Sequence, residues 1–342
     1  MNKPESFASR LLLWWKTHGR HDLPWQVDRT PYRVWVAEIM LQQTQVTTVI
    51  GYFERFMERF PGLQTLATAE LDDVLALWSG LGYYARARNL HAAAQICVEE
   101  HDGTLPADPV RLKALPGIGE STANAIVAQA HDRRAPILDG NVKRVLSRHA
   151  GIEGWPGRLA IARRLWQESD VRTPDTRACD YTQAIMDLGA TVCTARNPSC
   201  FACPVAADCS ARIEDRVTEL PTKKPRRPRP RRAVTLALVE NGNGELLLQR
   251  RPPTGIWGGL WSLPRLEELG TTDRGEPHQS IEHHFTHFIL DIEVRRIHLS
   301  RSARIADADN LAWVQPEQAL QSGLPQPIRQ VIEAARMTPG TP

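Results

Sequence analysis

Glu38 and Asp139 are the residues whose settings best suit proton and charge chemistry. Glu38 lies in PYRVWVAEIMLQQ, with Trp35 three and Val34 four residues before it and Leu41 three after, so its helical face is apolar. A carboxylate facing such surroundings has a raised pKa and can serve as a general acid near neutral pH. The plainer reading is a Glu at the edge of that face, snorkelling to water. Asp139 stands in APILDGNVKRVLSRH, where an apolar run meets Gly140 and a periodic helix. There it accepts helix amides and is favoured by the dipole, so it is expected to stay ionised; the alternative is an ordinary N-cap. One carboxylate drawn toward the acid form and one toward the base form would divide the roles as glycosidic-bond cleavage requires.

Four of the six cysteines follow as Cys193-x6-Cys200-x2-Cys203-x5-Cys209. Thiolates so close in sequence can close around one metal centre, and such clustering suits metal better than disulfides. Zinc ribbons separate two C-x2-C pairs, whereas this run has a single pair. A four-cysteine iron–sulfur site therefore leads, with zinc and reduced free thiols as alternatives.

Three further segments carry polar or glycine-rich breaks. PVRLKALPGIGESTANAIVAQAH (109–131) reads as two helices around Leu115-Pro116-Gly117-Ile118-Gly119. The glycines permit close backbone approach and the second helix offers outward amides, which together form a phosphate site; a plain αα turn is the alternative. Gln42-Gln43-Thr44-Gln45 interrupts the Glu38 helix, and Gly80-Leu81-Gly82-Tyr83-Tyr84 precedes Arg86 and Arg88. Amides and rings beside basic residues can wedge into a base stack and hold phosphates; helix caps and core tyrosines are the other reading.

Positioning these groups takes a chain of 342 residues, enough for about two domains. Composition is 42% hydrophobic and 24% charged, without an apolar run near the ~20 residues needed to span a membrane. The N-terminal apolar run, Leu11 to Trp15, is too short for a secretory signal, which points to a reducing, cytoplasmic setting. Net charge is +3; KKPRRPRPRR (223–232) carries seven positive charges, and subtracting them leaves −4 for the rest. This run reads as an exposed linker, either a solvated hinge or one that also attracts phosphates.

Before it the pattern is helical. Thr30-Pro31 opens the Glu38 helix, Val46 to Phe60 forms the next, and Pro61-Gly62 stops it. Periodic stretches occupy about 70–78, 85–100, 120–131, 141–149, 158–168 and 178–189. After the linker, strands at Ala233 to Glu240 and Glu245 to Arg250 flank Asn241-Gly242-Asn243-Gly244. Phe288 to Val294 alternates as a strand, Leu311 to Val314 adds another, and Pro327 to Arg336 is a closing helix. The expected division is an all-α region at 1–220, a basic Pro-rich linker at 221–232 and a small α+β domain at 233–342.

LPWQ (23–26), VWVAEIMLQQTQV (34–46), WSGLGYYARARNL (78–90), LPGIGESTA (115–123), PILDGNVKRVL (136–146), QAIMDLGA (183–190), the four cysteines and WGGLWSLP (257–264) together resemble the adenine DNA glycosylase (MutY-type) family of the helix-hairpin-helix/Gly-Pro-Asp superfamily. The resemblance runs from about residue 8 to 336. It implies an all-α helix-hairpin-helix glycosylase region with a [4Fe–4S] loop at 193–209, then a small α+β Nudix-like domain. It also implies a monomeric base-excision repair enzyme, cytoplasmic and nucleoid-associated when on double-stranded DNA holding A:8-oxoguanine or A:G mispairs. Glu38 would protonate N7 of a flipped adenine, since the atom is unreachable inside a duplex. Asp139 would stabilise the oxocarbenium-like sugar, and Asn141 would support Asp139 and the catalytic water. Leu23, Trp25 and Gln183 would line the adenine pocket, while Gln42, Gln43 and Tyr83 fill or wedge the gap in the stack. Arg86, Gly117, Gly119, Ser121 and Lys143 would face the DNA backbone. Cys193, Cys200, Cys203 and Cys209 would hold the cluster, and Phe285, Thr286 and His287 would read 8-oxoguanine at the family's Phe-Ser-His motif.

Departures from related families bear on the chemistry. Ser121 stands where endonuclease III-like glycosylase/lyases carry a nucleophilic lysine, so strand cleavage is expected to be absent or slight. The C-terminal part lacks the acidic REx2EExG helix that binds magnesium in active Nudix hydrolases. The competing readings are an endonuclease III-like glycosylase/lyase on damaged pyrimidines and a non-catalytic iron–sulfur redox sensor that binds DNA.

Overall fold

The computed structural model describes residues 6–225, 228–299 and 310–337; Arg226 and Arg227 of the basic run lie outside them. By contact the chain forms two compact units, one of residues 1–67 and 92–226 and one of 68–91 and 227–342. The sequence division at the basic run therefore needs adjusting, because residues 68–91 pack with the C-terminal part. Arg250 ion-pairs with Asp72 at 2.6 Å, Tyr84 Oη donates to Leu324 O at 2.9 Å, and Arg88 Nη1 donates to Gly258 O at 2.5 Å. Polar groups far apart in sequence make these links, so no local pattern announces them.

The helical unit is built as its periodicity predicts. Thr30 caps Pro31–Leu41, its hydroxyl accepting from Arg33 N with proline in the first turn. Val46–Arg59 buries Val49, Phe53, Phe56 and Met57. The helices Glu120–His131, Gly140–His149, Leu159–Arg172 and Ala178–Asp187 match the periodic stretches. An additional helix, Phe7–His18, capped by Ser6, stands where only a short apolar run was evident. Its Leu11 and Trp15 enter a core with Val142, Leu146, Tyr181, Ile185 and Leu188. Pro31–Leu41 packs against Glu120–His131, and the latter against Ala178–Asp187.

In the other unit the strands are β1 (Arg231–Glu240), β2 (Leu246–Arg250), β3 (Trp261–Ser262), β4 (Glu276–His284), β5 (Ile289–His298) and β6 (Leu311–Val314). They form a mixed sheet in the order β3-β2-β1-β5-β4, with β6 also paired to β2. β1 and β5 run parallel, with Arg231 opposite Ile289 and Glu240 opposite His298. Leu236, Leu238, Leu290, Ile292 and Val294 form one apolar core with Ile328, Val331 and Ile332 of the Gln326–Met337 helix. β4, EPHQSIEHH, escaped the sequence reading because this edge strand has little apolar alternation to show. The expected linker is also shorter than its charge run: Arg231 and Arg232 open β1, and Arg231 ion-pairs with Asp291 on the adjacent β5 and Glu282 on β4 beyond it.

Candidate active site

The helices Pro31–Leu41, Glu120–His131, Gly140–His149 and Ala178–Asp187, with the short Pro24–Val27 segment and the start of Val46–Arg59, converge on a cavity of about 410 Å³. Glu38 and Asp139 both line it, about 100 residues apart in sequence, together with Arg20, Leu23, Trp25, Gln42, Gln43, Ser121, Asn141 and Gln183. Glu38 projects from the middle of a helix whose Val34, Trp35, Ile39 and Met40 are buried. Burial pushes its pKa up to about 7, opposed by a hydrogen bond from Gln129 and reinforced by the charge of Asp139. A carboxyl so tuned is an acid near neutral pH.

Asp139 is the N-cap of Gly140–His149, its Oδ1 accepting from Val142 N at 2.7 Å. Capping does not draw its pKa down as expected. Burial raises its pKa as well, outweighing the Val142 amide, Arg144, the Asn141 amide and Lys143. The asymmetry between the carboxylates survives in a different form. Asp139 has four groups favouring its charge, whereas Glu38 has a single hydrogen-bonding one.

Leu23, Trp25 and Gln183, expected to line a base pocket, all face this cavity. Leu23 and Trp25 are buried, Trp25 meeting Phe53 edge to face. Gln183 is 2% exposed; its Nε2 donates to Asp187 Oδ1 at 2.8 Å, and its Oε1 is buried without a hydrogen-bond partner. Such an orphan acceptor is costly unless something else fills it. Asp187, fully buried, also accepts from Trp15 Nε1, from Arg20 N and from the Arg20 guanidinium. Arg20 and Asp187 were missed in the sequence; a fully buried Asp inside a helix becomes informative only once burial is known.

Other expected residues take different places. Ser121 Oγ accepts from Leu138 N at 2.9 Å, and Asn124 Nδ2 donates to Pro136 O at 2.7 Å. Ser121 thus anchors the segment that delivers Asp139. Gly117, with φ +78°, makes the turn before Glu120–His131, and Gly119 is that helix's N-cap with open space at its Cβ position. Lys143 is half-buried near Asp139. Asn141 Oδ1 accepts from Arg144 Nη2 at 2.8 Å, and Arg144 Nε donates to Cys193 O at 2.7 Å.

Arg86 does not serve as an exposed phosphate contact. It is buried, donates to Leu81 O and Gly82 O, and lies over the Trp78 and Tyr83 rings. Burial lowers its pKa to about 10. It clamps the turn that presents Tyr83, whose φ is +51° and whose side chain is 48% exposed. Within this sheet unit, Tyr83 Oη and Thr286 Oγ1 lie 3.4 Å apart. They line a second cavity of about 380 Å³ with Trp257, His283 and Phe285. His287 is exposed beside Phe288.

Cys193, Cys200, Cys203 and Cys209 line one small cavity of about 30 Å³ with Val145, Leu188, Val192 and Val205. Arg148 Nη1 donates to Cys193 Sγ at 3.3 Å. Burial and the neighbouring thiols raise the pKa of Cys203 to about 11, so holding all four as thiolates requires a compensating cation. Among the described residues no group of three or more His, Cys, Asp or Glu is set to hold a metal ion. Four cysteine thiols on one cavity are a donor set of the kind that thiolate-bound metal centres use.

Comparison with known proteins gives a consistent picture. Residues 36–169 match the HhH-GPD superfamily base excision DNA repair protein model, and residues 235–334 match the NUDIX domain model. An adenine DNA glycosylase of Buchnera aphidicola (from Schizaphis graminum) is 35% identical, covering 96% of this chain and 98% of its own. The Mus musculus adenine DNA glycosylase is 37% identical over 80% of this chain and 62% of its own. A thermostable thymine-DNA glycosylase structure superimposes with TM-score 0.56 at 26% identity, covering 61% of this chain and 95% of its own. A non-covalent endonuclease III–DNA complex, at TM-score 0.52 and 22% identity, shares the fold over 61% of this chain and 94% of its own. Among the described residues no helix is long and apolar enough to cross a membrane.

Proposed function

Because this chain belongs to the adenine DNA glycosylase family, we propose that it flips adenine out of DNA and hydrolyses its N-glycosidic bond when the opposite base is 8-oxoguanine or guanine. The enzyme acts in base-excision repair, and its partner is DNA. The observation that carries the reading is the meeting of Glu38 and Asp139 in one cavity, a carboxyl with a pKa raised to about 7 beside a helix-capping carboxylate.

Glu38 delivers its proton to the purine ring as the bond from the sugar breaks and its electron pair leaves with the base. Asp139 opposes the positive charge that develops on the sugar, and water completes the displacement and loses a proton. The orphan Gln183 Oε1 supports the choice of an amine-bearing base, because the exocyclic amino group of adenine is the donor it lacks. Leu23 and Trp25 supply apolar surface to a base taken from its stack.

Four further assignments belong to the same reading. Cys193, Cys200, Cys203 and Cys209 hold a [4Fe–4S] cluster, which when bound cross-links a loop otherwise short of a core. Tyr83, Phe285, Thr286 and His287 read the opposite base. Ser121 supplies no amine, so strand cleavage is absent or slight. The enzyme works as a cytoplasmic monomer.

The test is single-turnover release of adenine from duplexes carrying A opposite 8-oxoguanine, with and without alkali afterwards. Wild type should release the base, with a rate that falls as pH rises through about 7, because the acid form of Glu38 is the active one. Glu38→Gln should lose on the order of 10²–10⁴-fold. No release from wild type, or equal release from the variant, overturns the assignment, and strand breaks without alkali point to a lyase.

A further inference from the structure

The helix Glu120–His131 is buried all round through Ala125, Ile126, Val127 and Ala128, and the next residue, Gln129, is buried with them at 5% exposed. An amide at a core position of a helix packed against another is destabilising unless it is hydrogen-bonded. Its partner is the carboxyl of Glu38: Gln129 Nε2 donates to Glu38 Oε1 at 2.8 Å across the contact with Pro31–Leu41. The same helix anchors the approach to Asp139, through Ser121 on Leu138 N and Asn124 on Pro136 O. One helix thus holds the supports of both carboxylates, at its first turns for Asp139 and near its last for Glu38.

We propose that Gln129 is a positioning residue for the general acid: its amide locks Glu38 Oε1 and leaves Oε2 to carry the proton toward the base. The inference rests on the reading of Glu38 as that acid. The geometry accounts for a choice that a carboxyl buried on an apolar helix would otherwise leave open, namely which oxygen is protonated and which way it points. An amide donor stabilises the carboxylate more than the acid, so it also keeps Glu38 from being raised further by burial. Other charged groups lining the cavity are Asp139, which raises Glu38, and Arg20; Lys143 lies beside Asp139.

The experiment is the pH dependence of single-turnover adenine release for wild type, Gln129→Leu, Glu38→Gln and the double variant. Leucine keeps the volume and removes the donor. Gln129→Leu should move the alkaline fall of the rate upward by about one pH unit and lower the plateau about tenfold through lost alignment. In the Glu38→Gln background the same substitution should change the residual rate by no more than about twofold, because the groups act as one. A fall that stays at the wild-type pH, or losses that multiply in the double variant, overturns the proposal even where the variant's thermal unfolding shows it to be folded. Glu38→Gln as active as wild type would instead remove the underlying reading of Glu38, whatever Gln129 does.

Discussion

The carboxylate cavity of the helical unit and the aromatic cavity of the sheet unit are close in size, about 410 and about 380 Å³, yet opposite in construction. The first sets two buried carboxyls in apolar surroundings, both with raised pKa values and both tied by amides to a neighbouring helix or turn. The second sets an exposed tyrosine and a threonine hydroxyl beside Trp257 and Phe285, and burial pushes His283 toward its neutral form. Bond breaking needs charges held in a low-dielectric site, where they count for more. Reading a base needs rings and hydroxyls that remain free to meet it. The contrast agrees with the proposal that the helical unit is the seat of chemistry and the sheet unit one of recognition.

The strongest way to break that contrast is Asp139→Asn. Asparagine caps a helix about as well as aspartate, so thermal unfolding should hardly change. Removal of the charge should slow base release on the order of 10²–10³-fold, measured in single turnover; a rate near wild type would deny Asp139 an electrostatic role. Arg86→Ala comes next and tests whether this arginine is a clamp or a phosphate contact. Stranding the Leu81 and Gly82 carbonyls should lower stability by about 2 kcal/mol in chemical denaturation. The slope of log affinity against log salt should stay as in wild type, whereas a phosphate contact would reduce it by about one. Tyr83→Ala should have the smallest effect. It should weaken duplex binding about tenfold by lost stacking while the single-turnover plateau stays within about twofold. A plateau that collapses as in Asp139→Asn would erase the division between the units.

Much of the helical unit was legible because its signals are local. Thr30-Pro31 caps the helix that carries Glu38, and Pro61-Gly62 ends the next; both rest on backbone chemistry within a few residues. The strands around Asn241-Gly242-Asn243-Gly244 were legible for the same reason, the pair β1–β2 closing over that turn. β4 was not, since an edge strand paired on one side tolerates polar residues at nearly every position. The helix Phe7–His18 is harder to see, because the unbroken apolar run Leu11 to Trp15 masks the helical spacing of its buried Phe7, Ala8, Leu11, Leu12 and Trp15.

The candidate site divides along the same line. Glu38, Asp139 and the four cysteines were readable by residue type and spacing. Gln129, Asp187 and, in the turn after Phe7–His18, Arg20 were not, because a polar side chain looks like surface until burial and partner are known. Arg86 was misread for the complementary reason: an arginine beside tyrosines suggests a surface, and here it closes a turn from within.

By itself the sequence determined the kind of chemistry available, a pair of carboxyls on or at the start of helices with identifiable caps and a set of thiols clustered in one short segment. These are properties of residue type and of backbone interactions spanning a few positions. Tertiary structure alone decided that Glu38 and Asp139 share a cavity and that Gln129 meets Glu38. It also decided that residues 68–91 pack with the sheet unit. It reversed one expectation as well. Burial is summed over every neighbour, and at Asp139 that sum outweighs the cap and the cations that local sequence could show.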